Sequence, residues 1–263
     1  MAMNTSMGSN VRSVLTALRI LEEVSTRQPV GVSELARGLQ LPKTSVHRIL
    51  GTLREAGWVR PSGTDSKLWS LTHKALTVGL AGSIEPSLRE VASAEMRKIR
   101  DATGETVHLG VAEDDQLVII GRLDGTRSLR TFLPLGTEAP LHATASGRAL
   151  LSAMPDEDVE RILDLGLRRY TGNTILDRAK VWKEIRRARQ RGYGRNAAEW
   201  REGIAAVAAA IRTPTARPVA AITISMPLGR YRAIDKQEMA DLVIGGAERA
   251  GAALHADSYG DPG

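Results

Sequence analysis

Apolar residues recur at helical spacing through the first third of the chain. Val11, Val14, Leu15, Leu18, Leu21 and Val24 keep a period of about 3.6 residues, which predicts a first helix capped by Asn10 and ended at Gln28-Pro29. Ser33 is placed to cap a short second helix with Leu35, Ala36 and Leu39 facing inward, and Gly-Leu-Gln-Leu-Pro turns into a third. In that third stretch, LPKTSVHRIL and onward to Ala56, the positions Val46, Ile49, Leu50 and Leu53 share one face, while Lys43, Thr44, Ser45, His47, Arg48 and Thr52 share the other. Gly57 is a natural stop for it. Trp58-Val59-Arg60 and Lys67 to Leu71 then flank a Pro-Ser-Gly-Thr-Asp-Ser turn, the pattern of a β-hairpin.

Past Leu71 the periods mix. Residues 72–81 read as a helix, 82–87 as a break, and Leu88, Ala92, Met96, Ile99 and Thr103 mark another helix closed by Gly104. Three strand-like runs, 106–112, 116–122 and 129–133, joined by Glu113-Asp114-Asp115 and Asp124-Gly125, predict an antiparallel meander. A helix starting near Thr144 or Ala145, the stretch PDEDVERILDLG, a basic helix over 176–191, strands over 204–211 and 219–226, and a last helix over about 234–255 complete the chain. Strands that cluster, instead of alternating strictly with helices, make this second region α+β with an antiparallel sheet.

Three short helices with a Gly- and Pro-containing turn before the third, followed by a hairpin, describe a winged helix-turn-helix over residues 10–71, with its helix-turn-helix motif at 32–51. The polar face of the third helix then has a purpose. Thr44 and Ser45 lie in its first turn, where hydroxyls and N–H groups meet a phosphate or a base edge. Arg48, one turn on, is the residue for bidentate contact with guanine. Lys43, His47 and Thr52 flank it, and Arg60 and Lys67 of the hairpin reach for backbone or minor groove. Charge agrees with this placement. The net charge of +6 is concentrated in residues 1–83, which hold 10 Lys or Arg against 5 Asp or Glu, whereas residues 84–263 hold 26 against 25.

The 263 residues include no cysteine, which excludes disulfides, thiolate zinc sites and cysteine nucleophiles. No run approaches the roughly 18 apolar residues of a membrane span, and the first nine residues read as a disordered start and not a signal peptide, so a cytoplasmic protein with no membrane partner is expected. The five histidines are scattered without ligand spacing, so neither metal nor cofactor is expected. Gly192 to Ala197 formally fits G-x-G-x-x-A, but it follows a basic helix and precedes a strand, the reverse of a dinucleotide site. Lys183, Arg186, Arg187, Arg189 and Arg191 read as a solvated helix face.

The order of these pieces resembles the IclR family of bacterial transcriptional regulators over nearly the whole chain. The resemblance is carried by VSELARGLQLPKTSVHRILGTLREAGWV, by LHATASGRALL with Arg148 where lysine is usual, by RGYGRNAAEWREGIAAVAAAI and by VAAITISMP. It implies a winged helix-turn-helix, a linker helix over 72–87, and a GAF-like or profilin-like C-terminal domain over 88–257 that binds a small effector, followed by a tail at 258–263. It also implies homodimers that pair into homotetramers on a palindromic operator in double-stranded DNA. Carried over residue by residue, the effector pocket falls on Ala145, Ser146, Asn196, Ala206, Thr223 and Ser225. Some members place an acid at the position of Asn196 and a cysteine at that of Ala206, so a glyoxylate- or pyruvate-type ligand gives way here to a larger, less polar acid. Trp200 fits either a pocket wall for an aromatic effector or, as a lone Trp before a strand more often does, core or subunit interface; His142 fits either a ligand contact or, more often, a structural histidine bonded to backbone.

The combined reading is a non-enzymatic, ligand-responsive DNA-binding regulator, a repressor of a catabolic operon released or modulated by a small organic acid, aromatic acids included. Its rival is an enzyme turning over a small acid through Ser146 and His142, with the N-terminal domain as a DNA-targeting module. A third alternative, an architectural nucleic-acid protein, predicts sequence-independent binding with a steep salt dependence.

Overall fold

A computed structural model of the chain describes residues 11–62, 65–82, 86–213 and 218–259. The chain divides into two compact units, Met1–Ile84 and Glu85–Gly263. The expectations for residues 1–9 and for the end of the tail lie outside the described residues, and the first helix takes Val11, not Asn10, as its cap residue, with no side-chain cap bond.

In the N-terminal unit, helix α1 (Arg12–Arg27) is followed by a two-residue strand β1 (Val30–Gly31), α2 (Val32–Gly38), α3 (Lys43–Glu55), the hairpin β2 (Val59–Ser62) and β3 (Asp65–Leu71), and α4 (His73–Gly82). Ile20, Val24, Leu35, Val46, Leu50, Leu53, Val59 and Trp69 form its core. One face of each of α1, α2 and α3 closes onto the hairpin, as the 3.6-residue period requires. Two expectations are corrected here. Ser33 lies inside α2, whose cap residue is Gly31, because β1 carries the chain straight into the helix. The wing also has a third strand, since Val30 pairs with Trp69 and Gly31 with Leu68. The stop after α3 is as read: Gly57 adopts φ +79°, a left-handed conformation that suits glycine.

The C-terminal unit contains α5 (Pro86–Thr103), β4 (Thr106–Glu113), β5 (Gln116–Leu123), β6 (Glu138–Pro140), α6 (Ala145–Ala153), α7 (Asp156–Asp164), α8 (Arg178–Arg191), β7 (Gly194–Ala197), β8 (Ile204–Ile211), β9 (Ala220–Pro227), α9 (Leu228–Ala233) and α10 (Lys236–Tyr259). The six strands form one antiparallel sheet in the order β6-β5-β4-β9-β8-β7. Alternation along the strands sorts residues between its faces. Val107, Leu109, Ala205, Val207, Ala209, Ile222, Ile224 and Met226 join α5 and α10 in one core. The opposite face lies under α6, with α7 and α8 packed in a second core around Leu150, Leu151, Val159, Val181, Trp182 and Ile185.

Several boundaries differ from the periodic reading. Residues 129–133 are not a strand; instead β6 pairs with β5. The segment is held by single bonds: the Thr106 hydroxyl donates to the Thr131 carbonyl (2.9 Å), and the Thr131 hydroxyl donates to the Ser225 carbonyl (3.0 Å). Strand β7 and helix α9 had no separate periodic signature, α8 starts at Arg178 behind its Asp177 cap, and α10 starts at Lys236 and runs to Tyr259. Among the described residues no helix is long and apolar enough to cross a membrane.

Candidate DNA-reading surface and ligand cavity

In the N-terminal unit, α3 buries Val46, Leu50 and Leu53 and leaves Lys43, Thr44, His47, Arg48 and Thr52 exposed, with Ser45 half-buried. Its first turn is tied by the Ser45 and Val46 N–H groups donating to the Pro42 carbonyl at 3.0 and 3.1 Å. Thr52 returns its hydroxyl to the Arg48 carbonyl at 3.3 Å. Arg60 on β2 and Lys67 on β3 are exposed on the wing. Among the described residues no ion pair holds the side chains of Lys43, His47, Arg48 or Arg60, so the cationic groups of α3 and β2 are free to meet an anion.

In the C-terminal unit, strand register alone assembles a site. On the α6 side of the sheet, His108 on β4 pairs with Thr223 on β9, Thr223 with Ala208 on β8, and Ala208 with Gly194 on β7. The next row on the same face is Thr106, Ser225, Ala206 and Asn196. Small residues in the middle of both rows let the start of α6 come down onto the sheet. Gly194 marks the limit of that approach, for a Cβ there would run into the Ala145 carbonyl, and one at Gly147 would strike the Leu141 backbone.

The space left beside this contact is a cavity lined by the six residues Ala145, Ser146, Asn196, Ala206, Thr223 and Ser225, closed by His108, Leu117, Ile119, Leu133, Ala139, Thr144, Trp200, Arg201 and Ile204. The volume open to the centre of a water molecule is about 40 Å³. Thr144 caps α6, accepting from the Gly147 N–H at 3.0 Å and donating to the Pro140 carbonyl at 2.7 Å. The positive end of the helix and the N–H groups of its first turn suit an anion. The Ser146 and Thr223 hydroxyls bond each other at 2.8 Å, and Ser225 donates to the Thr131 hydroxyl at 2.8 Å. Asn196 donates through Nδ2 to the Ala143 carbonyl at 3.2 Å, while its Oδ1 and the Nε2 of His108 are buried without a partner. Burial, followed by the Arg122 charge, pushes His108 down to about 4 against a smaller opposing effect of Asp124.

Behind the cavity Arg148 is 1% exposed. Its guanidinium donates to the His142 carbonyl (3.1 Å), the Arg195 carbonyl (3.0 Å) and the Glu199 carboxylate, which it grips with both Nη atoms. Thr171 and Thr174 hold the Ala198 and Glu199 carbonyls, so the segment leading to Trp200 is fixed from both sides.

Sequence reasoning did not reach His108 or Arg201, and Trp200 proves to be a cavity wall, with Arg201 stacked on its ring at 4.6 Å. The one available signal was His108 standing on the face of β4 opposite Val107 and Leu109; its neighbours follow only from a register that composition does not encode. His142, in contrast, bonds the Arg168 carbonyl at 3.1 Å, away from Ser146, whose hydroxyl is engaged by Thr223. The basic residues of α8 are partly tied into the fold: Arg187 pairs with Glu184 and Arg189 with Asp156, and Arg191 donates to the Tyr193 carbonyl. Among the described residues no cluster of three His, Asp or Glu suits a metal ion.

Comparison with known proteins gives two family matches. Residues 13–63 match the IclR helix-turn-helix domain, and residues 85–250 match the bacterial transcriptional regulator IclR C-terminal domain. The acetate operon repressor of Salmonella typhimurium is 31% identical over 242 residues, covering 90% of this chain and 88% of that protein. The crystal structure of the Thermotoga maritima IclR superposes with a TM-score of 0.77 at 26% identity, over 94% of this chain and all of that one. An IclR homologue from Microbacterium hydrocarbonoxydans, solved in complex with 4-hydroxybenzoate, has the same fold, with a TM-score of 0.80 at 22% identity over 93% of this chain and 99% of that one.

Proposed function

Because the chain belongs to the IclR family of bacterial transcriptional regulators, we propose that it represses a catabolic operon and is released when a small organic acid occupies the cavity under α6. The observation that carries this reading is the convergence of six small or polar residues, Ala145, Ser146, Asn196, Ala206, Thr223 and Ser225, around a void at a helix N-terminus. In this reading the carboxylate meets the first turn of α6 and the hydroxyls beside it, and the rest of the ligand lies against Leu117, Ile119, Leu133 and Ile204. The homologue that holds 4-hydroxybenzoate makes aromatic acids the first class to try.

At the other end of the chain, two α3 helices of a dimer enter successive major grooves of a palindromic operator. Lys43, Thr44, Ser45, His47, Arg48 and Thr52 face the DNA, and Arg60 and Lys67 follow the backbone. Dimers pair into tetramers on the operator, and residues 72–87 link reading to sensing. The effector shifts repression only by the difference in its affinity for the DNA-competent and incompetent forms.

A thermal-melt screen of the full chain against aliphatic and aromatic carboxylates, with and without operator DNA, tests this. An acid at a hundred times its dissociation constant stabilises the protein by about 2.7 kcal/mol, and the same acid weakens operator binding. Catalytic turnover of that acid, or sequence-independent DNA binding indifferent to every acid, refutes the reading.

A further inference from the structure

Two side chains that line the α6 cavity each keep one buried polar atom without a hydrogen bond: His108 Nε2 and Asn196 Oδ1. Buried polar groups are nearly always paired, so each is a desolvation cost that the fold alone does not repay. The Nδ2 of Asn196 donates to the Ala143 carbonyl at 3.2 Å, which fixes the other atom as the oxygen, an acceptor only. His108 is 2% exposed, and the charges that act on it are those of the ion pair Arg122 and Asp124. Its cross-strand partners are Arg122 on β5 and Thr223 on β9. A neutral imidazole there offers one N–H and one lone pair.

Sheet order places the two residues that carry these atoms on strands three apart across the cavity. His108 is on β4 and Asn196 on β7, with β9 and β8 between them, three strand spacings or roughly 14 Å of backbone. His108 pairs with Thr223, whose hydroxyl bonds Ser146 in the first turn of α6; Asn196 pairs with Ala206. Once the two side chains have reached inward, the gap is that of one aromatic ring or roughly four to six carbons.

We propose that His108 is a direct effector contact that donates Nε2–H to the carboxylate of the bound acid, and that this acid carries a hydroxyl or N–H at its far end for the Asn196 oxygen. The class is thus a terminally hydroxy- or amino-substituted acid, with its polar groups separated by an apolar body that fits the leucine and isoleucine walls. A monocarboxylate without a distal donor leaves Asn196 unpaired, and a site built to bond a hydroxyl discriminates against the analogue that lacks it. The inference rests on the cavity being the effector site.

Isothermal titration of the full chain with two matched pairs, benzoate with 4-hydroxybenzoate and hexanoate with 6-hydroxyhexanoate, tests it. In at least one pair the hydroxylated acid binds roughly 10- to 100-fold more tightly, the effect of one bond to a buried group. Asn196→Leu erases that preference. His108→Leu weakens both members of the pair by a similar factor, yet leaves the melting temperature of the unliganded protein unchanged or raised, because it removes an unpaired buried nitrogen. His108→Gln, which keeps an N–H, recovers part of the affinity. Equal binding of the members of each pair overturns the distal donor, and undiminished binding to His108→Leu overturns the histidine contact. A His108→Leu protein that melts well below the parent shows a structural histidine and also overturns that contact. No binding by any of the four, while another acid shifts the melt, overturns the ligand class; a melt screen negative for every acid overturns the effector reading itself.

Discussion

Arg48 and Arg148 each follow small hydroxyl residues near the start of a helix, Ser45 in α3 and Ser146 in α6, and the fold gives them opposite tasks. Arg48 is exposed and no ion pair among the described residues holds it, whereas Arg148 is buried and its guanidinium joins two carbonyls and the Glu199 carboxylate. The first is a group kept in water until a partner arrives. The second has spent its donors on holding the cavity wall. An arginine's role is thus read from what already occupies its five N–H groups, and neither helical period nor net charge reveals that.

The contrast is sharpest where it is broken. Arg148→Met leaves a carboxylate and two carbonyls without their donor, and a loss of about 3–5 kcal/mol in urea unfolding is expected; a loss under about 1 kcal/mol would remove Arg148 from this role. His108 gives the next largest effect and has a definite sign. Its pKa falls from 6.5 to about 4 on folding, so the unfolded chain takes up the proton first as pH drops. Above pH 6.5 the ring is neutral in both states and costs the fold no proton; as pH falls toward 4 the unfolded chain alone is protonated and stability is lost progressively, roughly 3 kcal/mol in all. Unfolding measured across that range is expected to be flatter for His108→Leu, and identical slopes would contradict the buried neutral state.

Arg48→Ala is expected to leave stability within about 0.5 kcal/mol of the parent, but to cost about 1–3 kcal/mol at the operator and relax one base position. Unchanged operator affinity takes Arg48 out of the base-reading role. The smallest effect belongs to Thr144→Ala, which removes the cap of α6; about 1 kcal/mol is expected in thermal unfolding, and no change would mean that the sheet alone holds the helix start.

The same contrast explains what could be read in advance. The apolar face of α3, its stop at Gly57, the start of α6 at Thr144 and the span of β8 are local properties, set by side-chain period and capping chemistry within a few residues. The third strand of the wing exists because Val30 meets Trp69 some forty residues on, and β6 replaces the expected strand at 129–133 because Gln116, Leu117 and Val118 select Pro140, Ala139 and Glu138. Such pairings are decided by tertiary fit. The six cavity residues were named from resemblance; register brings Asn196, Ala206, Thr223 and Ser225 together and the packing of α6 adds Ala145 and Ser146, while His108 needed the register itself.

That register gives β4, β8 and β9 a division of labour. Each strand writes its odd and even positions to different readers: Val107, Val207 and Ile224 to the core beneath α5 and α10, His108, Ala206 and Thr223 to the cavity. Substitution of His108, Ala206 or Thr223 therefore leaves the core beneath α5 and α10 untouched, so the ligand preference of such a sheet is free to drift while that core is kept. Insertion of one residue into any of these strands is a different kind of change, since it exchanges the two readers at once.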